Sequence, residues 1–203
     1  MKIKIFAVTG LIILLFAAPP AFSATRQWSG SLNDLASVNG NWALGGPRPA
    51  GGDEAFFNNA NNCSWDYWVD LSSLTLNEYT GQVAVIVSSL TITDSFYKNS
   101  GLFSCGASTI NLQGDFEDTG GLFEPGTGQW IFSGSAAQEL NGILFFNNFK
   151  VDSSSTVALN SSLDIMGDLL VENGTLQASA EQIQLDGDLT QNGGDITGPA
   201  GFC

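Results

Sequence analysis

Short triplets in which one polar residue separates two apolar residues recur along this chain. In an extended backbone, such a triplet places its apolar side chains on one face and its polar side chain on the other, as in a strand with one buried face. Successive triplets start 16, 20, 20, 19, 14 and 20 residues apart. The seven triplets are Leu74/Leu76, Leu90/Ile92, Ile110/Leu112, Trp130/Phe132, Phe149/Val151, Leu163/Ile165 and Ile183/Leu185.

Longer phrases repeat as well. IQLDGDLTQNGGDITG at residues 183–198 is similar to LDIMGDLLVENGTLQA at 163–178 and to INLQGDFEDTGGLFEP at 110–125. Gly, Asn, Ser and Thr interrupt every window of helical length, so these segments are predicted to be strands. Units of about 20 residues that cannot bury their apolar face alone predict stacked coils about 4.8 Å apart. Matching landmarks 20 residues apart are Gly101 with Gly121, Gly174 with Gly194, Phe96 with Phe116, and Phe103 with Phe123.

The predicted fold is an all-β, right-handed parallel β-helix. A β-sandwich is the alternative, because short strands with frequent turn signals also suit that fold. The repeat is blurred between residues 130 and 163, where the register stays open. Ile131 puts an apolar residue at the polar position of its triplet, and a further rung is available at Val157/Leu159.

The N-terminus has the pattern of a secretory signal peptide. Lys2 and Lys4 precede the apolar run IFAVTGLIILLF and the small-residue stretch AAPPAFSA, which predicts cleavage between Ser23 and Ala24. A membrane anchor is the alternative, but the run has 12 residues and a span needs about 20. We therefore predict a secreted, extracellular or cell-surface protein.

The segment that follows the signal peptide is rich in tryptophan. It holds four of the five tryptophans, Trp28, Trp42, Trp65 and Trp68. An open solenoid end exposes apolar core and unpaired strand groups, so it needs a cap. The predicted organisation is a signal peptide at 1–23, an N-terminal aromatic cap at 24–70, and β-helix coils at 71–203 that are expected to be truncated at the C-terminus.

The chain is strongly acidic, with a formal net charge of −14. After removal of the signal, its basic residues are Arg26, Arg48, Lys98 and Lys150, against 20 acidic residues. Such a chain repels phosphate backbones and anionic lipids. Nucleic acid is therefore not an expected partner, and insertion of the mature chain into a membrane is not expected.

Three cysteines, Cys63, Cys105 and Cys203, are an odd number for an exported chain. The sequence allows one disulfide with one thiol left over. Cys63 with Cys105 is the first pairing to test, and the partner of Cys203 stays open.

Few catalytic groups are available. The sequence contains no histidine, which removes the usual general base and the commonest transition-metal ligand. No nucleophile elbow, phosphate-binding loop or Cys-x-x-Cys pair occurs. A glycan-active enzyme needs only two carboxylates, but acids at turns more often accept local backbone hydrogen bonds. No catalytic residue is assigned.

Structural calcium is another use for turn carboxylates, because Ca²⁺ takes about six to eight oxygen ligands. The weak candidates are Asp115, Asp168 and Asp188, each of which follows a repeated glycine. The nonapeptide signature of calcium-binding coils is missing from the sequence. We expect no cofactor other than such an ion.

Carbohydrate binding is a second function class, because exposed aromatic faces stack on sugar rings. The candidates are Trp65, Tyr67 and Trp68, which lie within four residues of one another. Strand alternation puts Trp65 and Tyr67 on one face and Trp68 on the other. Packing in the core or cap is the favoured interpretation of this set, and a sugar platform is the alternative.

The motifs WSG, NW and GGPRPAGGDEAFF, followed by SSLTL, SSLTI and GQWIFSGSAAQELNG, resemble the N-terminal portion of large bacterial surface proteins. The chain looks like the passenger regions of autotransporters and like filamentous adhesins over nearly all of residues 26–198. The resemblance implies a non-enzymatic structural or adhesive β-solenoid, with surface glycans or other copies of a surface assembly as partners. A carbohydrate-binding module and, behind it, a carboxylate-dependent glycan enzyme are the alternatives.

Overall fold

The computed structural model describes residues 23–198, which form a parallel β-helix. All pairs of named strands are parallel. This pairing confirms the predicted fold class over the sandwich alternative, whose sheets are antiparallel. The predicted signal segment up to residue 22 and Cys203 lie outside the described residues.

The 21 strands are short except for two that bend at a corner. They are β1 (Thr25–Gln27), β2 (Glu54–Phe57), β3 (Cys63–Trp65), β4 (Asp70–Leu71), β5 (Leu74–Leu76), β6 (Gln82–Val85), β7 (Ser89–Ile92), β8 (Phe96–Lys98), β9 (Leu102–Ser104), β10 (Thr109–Leu112), β11 (Phe116–Asp118), β12 (Leu122–Glu124), β13 (Gln129–Phe132), β14 (Gln138–Gly142), β15 (Leu144–Phe146), β16 (Asn148–Leu159), β17 (Leu163–Ile165), β18 (Leu169–Gln177), β19 (Ile183–Leu185), β20 (Leu189–Gln191) and β21 (Asp195–Thr197). Two short 3₁₀ turns, Asn39–Asn41 and Ala43–Gly45, lie between β1 and β2.

The strands stack on three faces of the solenoid. Face A contains β4, β7, β10, β13, the first halves of β16 and β18, and β20. Face B contains β1, β2, β5, β8, β11, β14, the second halves of β16 and β18, and β21. Face C contains β3, β6, β9 and β12 and then, after an interruption, β15, β17 and β19. Among the described residues, no helix is long and apolar enough to cross a bilayer.

All seven predicted triplets are strands, but they do not lie on one face. Leu90, Ile110 and Trp130 stack directly on one another in face A, one coil of 20 residues apart. Leu74 belongs to face B, where its partner in the next coil is Phe96, and Leu163 belongs to face C. The intervals of 16 and 14 residues between triplets are therefore steps from one face to another and not lengths of a coil.

Between residues 130 and 163, where the sequence left the register open, both candidate apolar pairs, Phe149/Val151 and Val157/Leu159, lie in a strand. The long strand β16 carries Phe149 and Val151 in face A, then bends and carries Val157 and Leu159 in face B. The side chains of these four residues are all buried. Ile131 points outward between the buried residues Trp130 and Phe132. The triplet therefore keeps the normal alternation of buried and outward side chains, although Ile131 is apolar.

Aromatic side chains stack along the interior at the predicted 20-residue interval. The ring centroids of Phe96 and Phe116 are 5.1 Å apart, with the rings 11° from parallel. Phe103 and Phe123 are stacked at 6.0 Å. Trp130 packs edge-on against Phe116 at 5.4 Å. These contacts confirm both predicted phenylalanine matches and join neighbouring coils through their side chains.

Gly101 and Gly121 mark one corner of the coil, as predicted. Both have positive φ, 71° and 82°, a region that residues with a side chain rarely adopt. A Cβ on Gly121 would also lie 2.3 Å from the carbonyl oxygen of Gly101 in the preceding coil. Glycine is therefore required here by both conformation and close stacking. Gly174 has positive φ too, whereas Gly194 does not, so the second predicted match holds only in part.

The N-terminal end is closed by a buried aromatic cluster, which confirms the predicted cap. Trp28 and Trp42 pack edge to face at 5.1 Å, and Trp42 contacts Phe57 and Trp65 at 6.0 Å each. Asn41 is fully buried beneath the loop that covers this cluster. Its side-chain oxygen accepts the backbone N–H groups of two residues in the loop, and its amide donates to the carbonyl oxygen of a third.

A nearly buried carboxylate, Asp53, ties the start of β1 to the cap. It accepts hydrogen bonds from the backbone N–H of Ala24 at 2.9 Å, that of Ala50 at 3.0 Å, and Nε of Arg26 at 2.9 Å. Burial by itself raises the pKa of Asp53, but the bonds from Ala50, Arg26 and Ala24 outweigh it and the pKa is lowered. Asp53 is therefore an ionised anchor that joins the start of β1 to the loop before β2.

Cys63 and Cys105 are free, buried thiols. In face C, Cys63 pairs with Val83, which pairs in turn with Phe103, so Cys105 lies two coils above Cys63. Two strand spacings amount to about 9–10 Å, more than a disulfide can bridge. The expected first pairing is therefore wrong.

Candidate functional site

The three aromatic candidates for sugar binding occupy different environments. Trp65 has no exposed surface and donates a hydrogen bond from its indole N–H to the carbonyl oxygen of Tyr67. Tyr67 is partly buried against the core. Trp68 is 73% exposed. Trp65 therefore packs in the core, which was the favoured interpretation of this set, and a side chain inside the core cannot offer a face to a sugar.

Tyr67 links the buried core to the surface through a series of planar groups. Its ring is stacked on Trp65, with centroids 5.3 Å apart and 17° between the planes. On the outer side, the guanidinium carbon of Arg48 lies 4.3 Å from the centre of the Tyr67 ring. Burial raises the pKa of Tyr67 despite the nearby charge of Arg48. The phenol therefore stays neutral and donates to the carbonyl oxygen of Pro49 at 3.0 Å.

A groove of about 430 Å³ lies beside this stack. The loop after the second 3₁₀ turn forms one side of it, and the segment from β3 to β4 forms the other. Its lining includes Arg48, Tyr67, Trp68 and Asp70. Trp65 and Arg48 cover the two faces of the Tyr67 ring, so the groove offers a cation, the exposed aromatic surface of Trp68 and a carboxylate. Such a mixture of stacking surface and hydrogen-bonding groups can hold a polyhydroxylated ring.

Sequence reasoning missed Arg48. The available signal was its position in Gly-Pro-Arg-Pro, where two prolines fix the backbone on either side of a charged residue. That spacing could suggest a rigidly presented side chain. It could not show that Arg48 lies on the ring of Tyr67, 19 residues away in the sequence.

A second groove, of about 620 Å³, opens where face C is interrupted between β12 and β15. Leu122 and Ile143 line it and are largely exposed. Asp118 also forms part of its wall, although that residue has no surface in contact with solvent.

Asp118 forms a buried ion pair with Lys98 inside the solenoid. Lys98 Nζ donates to Asp118 Oδ1 at 2.7 Å and to the carbonyl oxygen of Gly120 at 2.5 Å, and both charged side chains are fully buried. Asp118 Oδ2 is buried without a hydrogen-bond partner. Burial raises the pKa of Asp118, although the bond from Lys98 opposes the shift. The neighbouring Glu117 points to the other side of β11, so these acids do not form a carboxylate pair on one face.

The three calcium candidates do not come together. Asp168 and Asp188 occupy equivalent corners of successive coils, where the backbone N–H of Asp188 donates to Asp168 Oδ1 at 3.0 Å. Asp115 lies at another corner, before β11, and accepts the backbone N–H of Glu139 at 2.8 Å. These carboxylates link adjacent coils. Within residues 23–198, no group of three or more His, Cys, Asp or Glu side chains is arranged to hold a metal ion.

No protein-family model, no curated protein and no solved structure matches this chain.

The buried ion pair gives a prediction about stability. Lys98→Met leaves the carboxylate of Asp118 buried and unpaired, so the free energy of unfolding should fall by about 3–5 kcal/mol. Lys150→Met is the matched control, since Lys150 pairs with Asp152 and Glu172 near the surface and should lose at most about 1 kcal/mol. Urea denaturation monitored by tryptophan fluorescence measures both.

The double variant Lys98→Met/Asp118→Leu should recover most of the lost stability, because neither charge remains in the core. Equal losses in Lys98→Met and Lys150→Met would show that the buried pair has no special energetic role.

Proposed function

We propose that this chain is a non-enzymatic structural or adhesive β-solenoid segment of an exported surface or extracellular protein. The observation that carries the proposal is the continuous stack of parallel coils, in which residues of one coil pack on their counterparts in the next. The N-terminal end of the stack is covered by the Trp28–Trp42 cluster, and the last described coil presents strand edges and apolar residues. A stack of this kind can be lengthened by further coils along its axis.

Side-chain burial along one interior ladder supports the proposal. Phe149, Leu169 and Leu189 occupy equivalent positions in three successive coils. The first two are buried, whereas Leu189 is 54% exposed. Leu189 follows the inward pattern but lacks a coil above it among the described residues. A further coil, from a continuation of the chain or from another copy, would bury it.

The proposal predicts association through the last coil. The mature protein should sediment with an average mass that rises with concentration. Leu189→Asp should weaken this association at least about tenfold, because a charge in the axial contact would be desolvated. Ile86→Asp is the matched control, since Ile86 has a similar exposure but lies between β6 and β7. Analytical ultracentrifugation measures the effect.

A protein that stays monomeric at every concentration would contradict the proposed axial contact. So would equal association of the Leu189→Asp and Ile86→Asp variants.

Carbohydrate binding is the second candidate function, and the exposed Trp68 at the groove beside the cap favours it. On an exported adhesive segment, such a groove would provide the contact with surface glycans. Polar groups surround one ring-sized aromatic surface in this groove, and they can form hydrogen bonds with the hydroxyl groups of a sugar. It lies at the closed end of the stack, so glycan binding and axial continuation do not compete for one surface.

Trp68→Ala should weaken oligosaccharide binding at least about tenfold, because it removes the exposed stacking surface of the groove. Leu122→Ala is the control, since Leu122 is exposed in the other groove. Isothermal titration calorimetry on variants with unchanged melting temperatures provides the measurement. Unchanged affinity in Trp68→Ala would remove this groove as a sugar site.

A further inference from the structure

We propose that the groove beside the cap binds acidic oligosaccharides in which one sugar ring carries a carboxylate, as a uronic acid does. The inference rests on the carbohydrate-binding candidate above and names its ligand class. Its central residue is Arg48, which lies over the ring of Tyr67 in the same groove as the exposed Trp68.

Arg48 differs from the other basic residues of the described chain in lacking a carboxylate partner. The other basic residues in residues 23–198 each form an ion pair: Arg26 with Asp53 at 2.9 Å, Lys98 with Asp118 at 2.7 Å, and Lys150 with Asp152 at 3.1 Å. Nη1 of Arg48 donates a long bond to the carbonyl oxygen of Ser37 at 3.5 Å. In a chain with 20 acidic residues, a guanidinium without a carboxylate partner is available for a carboxylate from a ligand. Its planar fork matches a carboxylate through two parallel hydrogen bonds.

The position of Arg48 is fixed before any ligand binds. Pro47 and Pro49 restrict the backbone on both sides of it. Its backbone N–H donates to Asn39 Oδ1 at 3.0 Å, and its guanidinium is supported by Tyr67. A side chain held in this way loses less conformational entropy on binding than a free surface arginine does. The groove therefore presents a preorganised cation.

The remaining lining distinguishes a sugar acid from a simple anion. Trp68 can stack on the apolar face of a sugar ring. The carboxylate of Asp70, which also lines the groove, can accept hydrogen bonds from hydroxyls but repels a ligand with anionic groups throughout. A ring with one carboxylate and several hydroxyls satisfies Arg48, Trp68 and Asp70 together.

The test compares a tetrasaccharide of three glucose rings and one glucuronic acid ring with cellotetraose and with polyglutamate by isothermal titration calorimetry. The native protein should bind the acidic tetrasaccharide most tightly. Arg48→Gln should weaken that binding at least tenfold and leave binding of cellotetraose unchanged, whereas Trp68→Ala should weaken both. Arg48→Lys should recover only part of the affinity, because an ammonium group lacks the fork. Leu122→Ala serves as the folded control.

Binding of cellotetraose that equals binding of the acid, with no effect of Arg48→Gln, would overturn this inference and leave the sugar site standing. Absence of binding to both saccharides would overturn the inference together with the carbohydrate-binding candidate. If polyglutamate bound as tightly as the acidic tetrasaccharide and Trp68→Ala left that binding unchanged, the groove would recognise charge alone. That result would also overturn the inference.

A separate observation, the contact between Ala24 and Asp53, concerns processing of the N-terminus. We infer that removal of the predicted signal peptide creates an ion pair that fastens the cap. The backbone nitrogen of Ala24 lies 2.9 Å from Asp53 Oδ1. The side chain of Asp53 is only 7% exposed and also binds Arg26 and Ala50.

Hydrolysis of the Ser23–Ala24 peptide bond by a host signal peptidase consumes one water molecule. It leaves a carboxylate on Ser23 and an ammonium group on Ala24. The donor to Asp53 thereby changes from a neutral amide to a cation, and charge-assisted hydrogen bonds are roughly twice as strong as neutral ones. Cleavage at this bond would therefore strengthen the contact between β1 and the cap.

The test compares the chain that begins at Ala24 with the same chain carrying an acetyl group on Ala24, which keeps the N–H but removes its charge. The acetylated protein should melt about 2–4 °C lower at pH 7. Asp53→Asn should abolish this difference. Equal melting temperatures for the free and acetylated chains would overturn the inference, as would a difference that persists in Asp53→Asn.

Discussion

The structure depends on the direct stacking of each coil on the one before it. Parallel strands bring equivalent residues to within one strand spacing of each other, so an apolar side chain in one coil packs on its counterpart in the next. The Phe96–Phe116 and Phe103–Phe123 stacks are the clearest examples. A single coil has no other way to cover its inward side chains. Every other feature of the molecule follows from the need to preserve this stacking or to end it.

Polar groups inside the stack are placed where the strands turn. The buried side chain of Gln138 donates to the carbonyl oxygens of Leu112 and Gly114 at the wide corner before β14. Lys98 similarly donates to a corner carbonyl as well as to Asp118. Corners interrupt the strand ladders and leave backbone carbonyls without partners, and these side chains supply the missing donors. The buried charges thus belong to the construction of the coil, and the proposed binding groove lies elsewhere.

The same cap that ends the stack also builds the groove. Trp65 fills the core of the first coil against Trp42 of the cap, and its ring supports Tyr67. Tyr67 in turn supports Arg48, whose loop is part of the cover. The need to cover the apolar end of the solenoid therefore also produces a rigid surface that combines aromatic rings with a fixed cation.

The sequence by itself determined the strands, their alternation and the 20-residue coil, because burial of every second side chain leaves a local pattern. It also indicated that the tryptophan-rich segment forms a cap. It could not determine which face of the solenoid each strand occupies, because the same Gly-Asp motif occurs at different corners. The Gly-Asp before Phe116 leads from face A to face B, whereas the Gly-Asp before Leu169 leads from face C to face A. Alternation put Trp65 and Trp68 on opposite faces, but the sequence could not decide which of the two is buried, nor could it place Arg48 on Tyr67. Those relations depend on contacts between residues in different coils and loops, and only the tertiary structure decides which segments meet.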